Sequence, residues 1–448
     1  MKKLFIEEIV SKVGDEVQVC GWVNTIRDHK KVVFVDLRDR SGIVQIVGES
    51  SLSSLAPEDV VCITGVVKER PAHMINEKVK TGKIEIECAE YKVLSKAQTL
   101  PFDFGKEELD VTLPVLLDYR ALTLRHPKVR SIFLVQEAVM AGFRKAAQEL
   151  GCVEVFVPTI SFSSTEGGAE VFNVDYYDYK AFLIQSPQLY KQIMVPVFER
   201  VYLISHAYRA EPSMTTRHLS EATQLDCEFG FIEFDELLDA LEEVGKKTLE
   251  HVSKMHPEIF EQFNVVPPKL SAKVPRLTLR EAQEIIFKRT GRDNRHEPDL
   301  EPEDEKEISI WALETHASDL VTITHFPTEK RAFYSKPNPK DPTYSLSYDL
   351  LFRGIEILSG SQRIDDYQEL VDILKKKGMN PDDFHMYLQA FKYGMPPHGG
   401  FSFGLERITM KLLNLSNVRE ASLFPRDMER VDVHLPTFNH GHSRKEKK

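Results

Sequence analysis

The sequence predicts an α+β protein built as a small β-barrel followed by a larger domain of interspersed strands and helices. Two observations predict this. Residues 17–94 read as five short apolar runs broken by turn signals, and from Val129 onward apolar residues recur at helical spacing between further strand-like runs. A length of 448 residues allows two or three domains and a large core.

The barrel runs are Val17–Val23, Val32–Leu37, Ile43–Val47, Val60–Val67 and Ile84–Leu94, separated by Arg40-Ser41-Gly42, Pro57-Glu58-Asp59 and Thr81-Gly82. Five short strands in under a hundred residues point to an OB fold over residues 1–97. Residues 98–118, with Leu100-Pro101-Phe102, read as a connector. In the second domain, 119–435, Val129–Leu150 is expected to be a long amphipathic helix. It leads into a strand at Val153–Val157 that Pro158 stops. Asp235–Lys254 and Leu279–Thr290 read as further helices, and the acidic run Asp299–Glu307 as a solvated surface segment. The tail, 436–448, is polar and basic and reads as disordered.

No apolar run approaches the ~20 residues needed to span a bilayer. Glu7 and Glu8 stand where a signal peptide would be apolar, so a cytoplasmic protein is expected. The five cysteines are scattered and lack a Cys-x-x-Cys pair, which argues against a disulfide framework or structural zinc and for thiols packed as small hydrophobes. The net charge of −11 argues at first against nucleic acid, but it is unevenly spread. The first 97 residues hold fifteen Lys/Arg and fifteen Asp/Glu, so the whole excess lies in the remainder. A neutral module with basic clusters can bind RNA.

Four segments could carry chemistry. Tyr208-Arg209-Ala210-Glu211, Thr216-Arg217-His218-Leu219 and Asp226-Cys227-Glu228 gather charge around one hairpin, and guanidinium groups suit phosphate or carboxylate. The bland alternative is surface ion pairing among Arg209, Glu211 and Glu228. Gly399-Gly400-Phe401-Ser402-Phe403-Gly404-Leu405-Glu406-Arg407 places an arginine at a helix start, after small residues that let a ligand approach. A tight packing turn explains it equally well. Asp349 and Glu356 flank a hairpin turn at Arg353-Gly354, an arrangement suited to magnesium on nucleotide phosphates, with Ser359 and Arg363 following. A salt-bridged strand pair is the alternative. Finally, Thr165-Glu166-Gly167-Gly168 reads as a lid loop, and Gln185-Ser186-Pro187 precedes a helix whose first turn holds Gln188 and Lys191. Taken singly, Lys191 reads as a surface lysine.

Together and in this order, these segments resemble the three motifs of class II aminoacyl-tRNA synthetases. The helix ending at Pro158 looks like motif one, Tyr208 to Glu228 like motif two, and Gly404-Leu405-Glu406-Arg407 like motif three. The resemblance spans nearly the whole chain and implies a catalytic domain with an antiparallel sheet flanked by helices. An N-terminal OB barrel marks the aspartate, asparagine and lysine subgroup. Gln185 to Gln192 and Ser359-Gly360-Ser361-Gln362-Arg363 look like its aspartyl form. The absence of a large insertion before motif three is similar to the archaeal and eukaryotic type.

The resemblance implies that L-aspartate is activated with ATP and passed to the 3′ end of tRNA(Asp). Arg209 would bind the α-phosphate and Arg407 the γ-phosphate, with Glu211, Arg217, His218, Leu219, Glu356 and Gly404 also at ATP. Asp349, Glu356 and Ser359 would hold Mg2+. Lys191 and Arg363 would meet the substrate's side-chain carboxylate, and Gln188 and Asp226 its α-ammonium. Ser359, Arg209 and the loop with Glu166 complete the aspartate site. A homodimer is implied through motif one. One departure stands out: Glu221 is followed by Ala222 where the family usually has an aromatic under adenine.

In the barrel the resemblance assigns Arg27, Phe34 and Gln45 to the anticodon's central uridine. Phe34 between polar ends also fits base stacking on its own, the alternative being a core residue. Histidine after Arg-Asp in the first hairpin, here His29, tends to accompany relaxed recognition in bacterial members, and leucine strict recognition. His73 stands where strict members often have lysine. Both point to charging of tRNA(Asn) as well as tRNA(Asp), with a downstream amidotransferase; solvated loop histidines are the alternative. The rivals are an asparaginyl enzyme, disfavoured because Lys191 and Arg363 are both cationic, and a synthetase-like protein that makes asparagine, disfavoured because such proteins generally lack an anticodon module.

Overall fold

The computed structural model describes residues 3–77, 79–106, 108–162, 171–211 and 215–435. The chain forms two compact units, 1–116 and 117–448.

In the first unit the barrel strands are Glu16–Asp28 (β1), Val33–Arg38 (β2), Ile43–Gly48 (β3), Val60–Glu69 (β4) and Ile84–Ser95 (β5), with the short strand Lys3–Leu4 pairing in parallel onto β1. Each overlaps its expected run. Their order is β1-β2-β3-β5-β4, and β4 pairs back onto β1, so the barrel closes. Alternation places Val33, Val35 and Leu37 in the core and leaves Phe34 and Asp36 on the outer face. Phe34 is therefore not a core residue. Within the connector Phe104 is buried, with the Arg38 guanidinium over its ring.

One cysteine expectation is corrected. Antiparallel pairing sets Cys20 opposite Cys62, with Cα atoms 3.9 Å apart, and the two form a disulfide. Their separation of 42 residues hides this neighbourhood in the sequence. Cys152 and Cys227 are buried thiols, as expected, and Cys88 is half-buried.

The second unit is organised by an eight-stranded sheet. Its strands are Val153–Glu154 (β6), Arg200–Tyr208 (β7), Glu221–Gly230 (β8), Arg276–Thr278 (β9), Leu320–Thr324 (β10), Ser347–Phe352 (β11), Ile355–Gln362 (β12) and His398–Gly404 (β13). The order is β9-β10-β11-β12-β13-β8-β7-β6, antiparallel except at its two edge pairs. Pro127–Glu149 (α1) and Phe234–Met255 (α3) cover one face. Gly142 lets α1 approach α3 closely, since a Cβ there would lie 2.9 Å from that of His251. Leu225, Cys227, Phe229, Phe401 and Phe403 point into this core. Their alternating neighbours Asp226, Glu228, Ser402 and Gly404 must then point to the other face, where Gln188–Ile193 (α2) lies.

The acidic run 299–307 lies largely at the surface, as expected, with Asp304 the buried exception at 1% exposed. It opens the helix Pro302–His316 (α5), which comes after Leu279–Thr290 (α4). Glu301 and Asp304 cap that helix reciprocally. A run of carboxylates at a helix start is stabilised by the backbone dipole. The tail beyond residue 435 and the lid with Glu166 lie outside the described residues.

Candidate active site

The polar face of the sheet surrounds a cavity of about 320 Å³. Gln188, Lys191, Arg209, Arg217, His218, Leu219, Asp226, Glu356, Ser359, Arg363, Gly404 and Arg407 all line it, a convergence from six separate stretches of chain. Asp349 lies just beneath, 7% exposed. Glu211 does not line the cavity.

At one end sits a closed set of charges. Lys191 Nζ lies 2.9 Å from Asp226 Oδ1 and 3.3 Å from Glu228 Oε2. Arg363 grips the same Glu228 with Nε at 2.8 Å and Nη2 at 3.1 Å. All four residues are at most 3% exposed. Lys191 is thus no surface lysine, and Glu228 no surface ion-pair partner of Arg209. Burial pushes the Asp226 carboxyl up, against the pull of Lys191. Burial acts on Glu228 too, but Arg363 and Lys191 outweigh it and leave that carboxyl below its ordinary value. Asp226 lines the cavity, and its Oδ2 is buried with no hydrogen-bond partner within bonding distance among the described residues.

Glycine makes this arrangement possible. A Cβ on Gly400 would overlap the Glu228 carboxylate, and the Gly400 carbonyl accepts from Arg363 Nη2 at 2.8 Å. Sequence reasoning assigned the glycines of 399–404 to ligand approach; at Gly400 the space is taken by the protein's own ion pair.

At the other end the cations are less committed. The Arg209 guanidinium follows β7 directly and forms no hydrogen bond or ion pair among the described residues. Arg407, in the helix Leu405–Leu412 (α6), donates to the Glu356 carbonyl at 3.3 Å and lies 3.6 Å from its carboxylate. Arg217 is held by Glu305 of α5 at 2.7 Å. His218 stays below its usual pKa through burial and the nearby arginine charges, led by Arg407. Beneath them Glu406 accepts the Thr223 N–H on both carboxylate oxygens, at 3.0 and 3.1 Å. Burial lifts its pKa to about 7.

The hairpin of β11 and β12 turns at Arg353-Gly354, as expected. Register sets Asp349 opposite Ser359. Arg331, which sequence reasoning missed, donates to Asp349 Oδ2 at 2.7 Å and to Ser359 Oγ at 3.2 Å. Burial lifts Asp349 to about 6 despite that partner. Its Oδ1 is buried without a hydrogen bond among the described residues.

On the barrel, Arg27, Phe34, Gln45 and His29 come together. Arg27 bonds Asp36 at 2.7 Å and Gln45 at 3.2 Å, and the His29 ring meets Phe34 edge-on at 5.7 Å. Gln45 is buried and its amide also donates to Glu85 at 2.8 Å. Arg70, also missed, lies within electrostatic reach of Arg27, Asp36 and Glu85. His73 sits on the short turn Ala72–Met74, and no hydrogen bond or ring contact ties it to that group among the described residues.

Glu228 had a usable signal, since it stands two residues from Asp226 on a strand and must face the same way. Arg331, Glu305 and Arg70 act through partners between 18 and 88 residues distant or through charge alone, and no local pattern marks them.

Known proteins resemble this chain along nearly its full length. Residues 113–428 match the family of tRNA synthetases class II (D, K and N), and residues 17–94 match the OB-fold nucleic acid binding domain. The aspartate–tRNA(Asp/Asn) ligase of Thermus thermophilus is 42% identical, with 96% of this chain and 99% of that protein covered. The aspartate–tRNA(Asp) ligase of Pyrococcus furiosus is 38% identical, covering 93% and 96%. Among solved structures, asparaginyl-tRNA synthetase of Pyrococcus horikoshii with asparaginyl-adenylate superposes with a TM-score of 0.88 at 30% identity, covering 96% and 99%.

Proposed function

The chain belongs to the class II tRNA synthetases for aspartate, lysine and asparagine, and we propose that within that family it is an aspartate–tRNA ligase. It joins L-aspartate to ATP as aspartyl-adenylate and then transfers the aspartyl group to the 3′ end of tRNA(Asp). The carrying observation is the buried pair of cations, Lys191 and Arg363, sharing Glu228 beside an open acceptor on Asp226. Lys191 and Arg363 are not bare cations, since both already have carboxylate partners. Instead, the substrate's α-ammonium neutralises Asp226, which frees Lys191 to face the side-chain carboxylate. Asparagine brings the ammonium without the second anion and leaves that cation undercompensated.

Activation requires the substrate α-carboxylate to approach the α-phosphorus of ATP. Arg209, whose guanidinium has no partner among the described residues, binds the α-phosphate that ATP passes on to the adenylate, and charge neutralisation with positioning lowers the barrier without a side-chain nucleophile. Arg407, Arg217 and His218 take the outer phosphates. In the second step the terminal ribose hydroxyl of tRNA attacks the anhydride, and a phosphate oxygen of the adenylate can take its proton.

Asp349, Glu356 and Ser359 fit Mg2+: the orphaned Asp349 Oδ1 and the half-exposed Glu356 carboxylate are hard oxygen donors beside the phosphate site. The ion would neutralise phosphate charge there. The barrel face around Phe34 receives the anticodon. A homodimer forms through α1 and the segment after it, where Val153, Phe156 and Phe162 expose 43, 88 and 70% of their surface. No described helix is long and apolar enough to cross a membrane, and the cytoplasm is the compartment we assign. Charging of total tRNA with each labelled amino acid tests the function. Aspartate alone should be incorporated, and incorporation of asparagine instead would overturn it.

A further inference from the structure

Behind the amino-acid pocket runs a buried chain of amides and rings. His398 opens β13, and its Nδ1 lies 2.9 Å from the Pro396 carbonyl, so that nitrogen carries a proton and donates. Its Nε2 lies 2.8 Å from the Gln192 amide nitrogen. Burial holds the imidazole neutral, down to about 4, so Nε2 is a lone-pair acceptor. Gln192 must then turn its NH2 to His398 and its oxygen the other way. That oxygen accepts from Gln188 Nε2 at 2.9 Å and from the Tyr387 hydroxyl at 3.1 Å. With its own NH2 spent, Gln188 turns its oxygen toward the cavity, where Arg363 Nη2 donates to it at 3.3 Å. Gln192 and His398 are 0% exposed, Tyr387 2% and Gln188 5%.

We propose that Gln192, His398 and Tyr387 are positioning residues whose fixed donor–acceptor order makes Gln188 present an oxygen, rather than an N–H, to the substrate's α-ammonium. This rests on the aspartate reading above and deepens it. The two ends of a glutamine amide have nearly the same shape, so packing cannot choose between them and only the hydrogen-bond network can. A reversed Gln188 would set donors against both the ammonium and Arg363. In the order found here, Gln188 Oε1 and the unused Asp226 Oδ2 form a pair of acceptors for the ammonium. The fixed end of the relay is a backbone carbonyl, which cannot reverse, and this polarises every amide downstream.

The test is aspartate-dependent pyrophosphate exchange by the full-length chain, with succinate as a competitive probe that lacks only the ammonium. Gln192→Met removes both ends of the relay at similar volume. It should raise the aspartate KM about ten- to a hundredfold, the range for one lost hydrogen bond to a charge. The ATP KM and the succinate Ki should move less than about twofold. Gln192→Glu keeps the two acceptor contacts and should recover most of the loss. Equal weakening of aspartate and succinate would overturn the relay and leave a packing role. If Gln192→Met does not fold, Tyr387→Phe, which deletes one donor, should show the same selective pattern at a few-fold, and its failure to do so overturns the proposal equally. Absence of aspartate-dependent exchange in the wild type would instead remove the aspartate reading itself.

Discussion

The anticodon face of the barrel and the amino-acid pocket are built from the same chemistry, cations bonded to carboxylates and amides, yet they sit in different dielectrics. Arg27 and Asp36 pair at 2.7 Å with side chains 46 and 21% exposed. Lys191 and Asp226 pair at 2.9 Å with both 1% exposed. An exposed pair is worth roughly 0–1 kcal/mol and exchanges partners freely. A buried pair, once broken, leaves an uncompensated charge that costs about 3–5 kcal/mol. A surface that must accept a nucleic acid therefore uses pairs that can open. A pocket that must tell a carboxylate from an amide uses buried charges that can release a partner only when the substrate supplies a matching charge.

The comparison breaks most directly at Glu228. Glu228→Ala strips the carboxylate that Lys191 and Arg363 share, and stability to urea should fall by about 3–5 kcal/mol. A loss under about 1 kcal/mol would mean that the buried set rearranges as readily as a surface pair. Lys191→Met should have a similar cost, read in function: kcat/KM for aspartate in pyrophosphate exchange should drop a hundredfold or more, about 3 kcal/mol. An unchanged value would move Lys191 out of the pocket.

Glu406 sharpens the same point without a counter-charge. Burial lifts its pKa to about 7, from 4.5 when unperturbed. The folded chain therefore keeps a proton that the unfolded chain releases, and stability is lost as pH rises from about 4.5 to about 7. Glu406→Gln retains an acceptor for the Thr223 N–H and cannot ionise. Relative to wild type it should gain up to about 3 kcal/mol at pH 8 and nothing at pH 4. Thermal unfolding at the two pH values decides it, and an equal shift at both would mean that ionisation of Glu406 is not the cause.

On the barrel, Arg27→Ala should change unfolding stability by less than about 1 kcal/mol, while kcat/KM for tRNA falls and its salt dependence becomes shallower. A large loss of stability would show that Arg27 belongs to the core rather than to a surface poised to re-pair.

The same difference governs how much of each region was legible in the sequence. Short apolar runs located every barrel strand, because a strand's two faces alternate and the pattern is local. The long helices were legible for the same reason: Leu279–Thr290 falls at its expected bounds, and Pro127–Glu149 differs by two residues at its start. Lys191, Asp226 and Arg363 were legible only as parts of motifs, and nothing local announced that Lys191 is buried. Its partner lies 35 residues away on a strand, and the contact exists only once the sheet has formed. The Cys20–Cys62 pairing and the Arg217–Glu305 bond are hidden in the same way, by register and by a helix arriving from elsewhere in the chain. Composition placed the acidic run at the surface, but that it opens a helix, and that Asp304 is buried as part of its cap, was not legible from charge alone.

The smallest expected effect concerns the last anticodon base, where aspartate and asparagine tRNAs differ. The two pyrimidines present opposite edges there, an amino donor on cytosine and a carbonyl acceptor on uracil. A side chain with one fixed role would favour one of them. His29 is exposed at the end of β1, its ring edge-on to Phe34 at 5.7 Å, and His73 stands exposed on its own turn. A neutral imidazole offers one donor and one acceptor and can exchange them between its nitrogens, so it can satisfy either base. Among the described residues the groups beside Phe34, apart from the buried Gln45, are exposed or half-exposed and able to re-pair. Aspartylation of two purified transcripts, one for each amino acid, should therefore give kcat/KM values within about tenfold of each other, roughly 1.4 kcal/mol. His29→Leu should widen that ratio by removing the adaptable partner while leaving aspartate activation untouched. A wild-type ratio above about a hundredfold, or ~2.7 kcal/mol, would mean a strict enzyme whose discrimination is built from something other than these histidines.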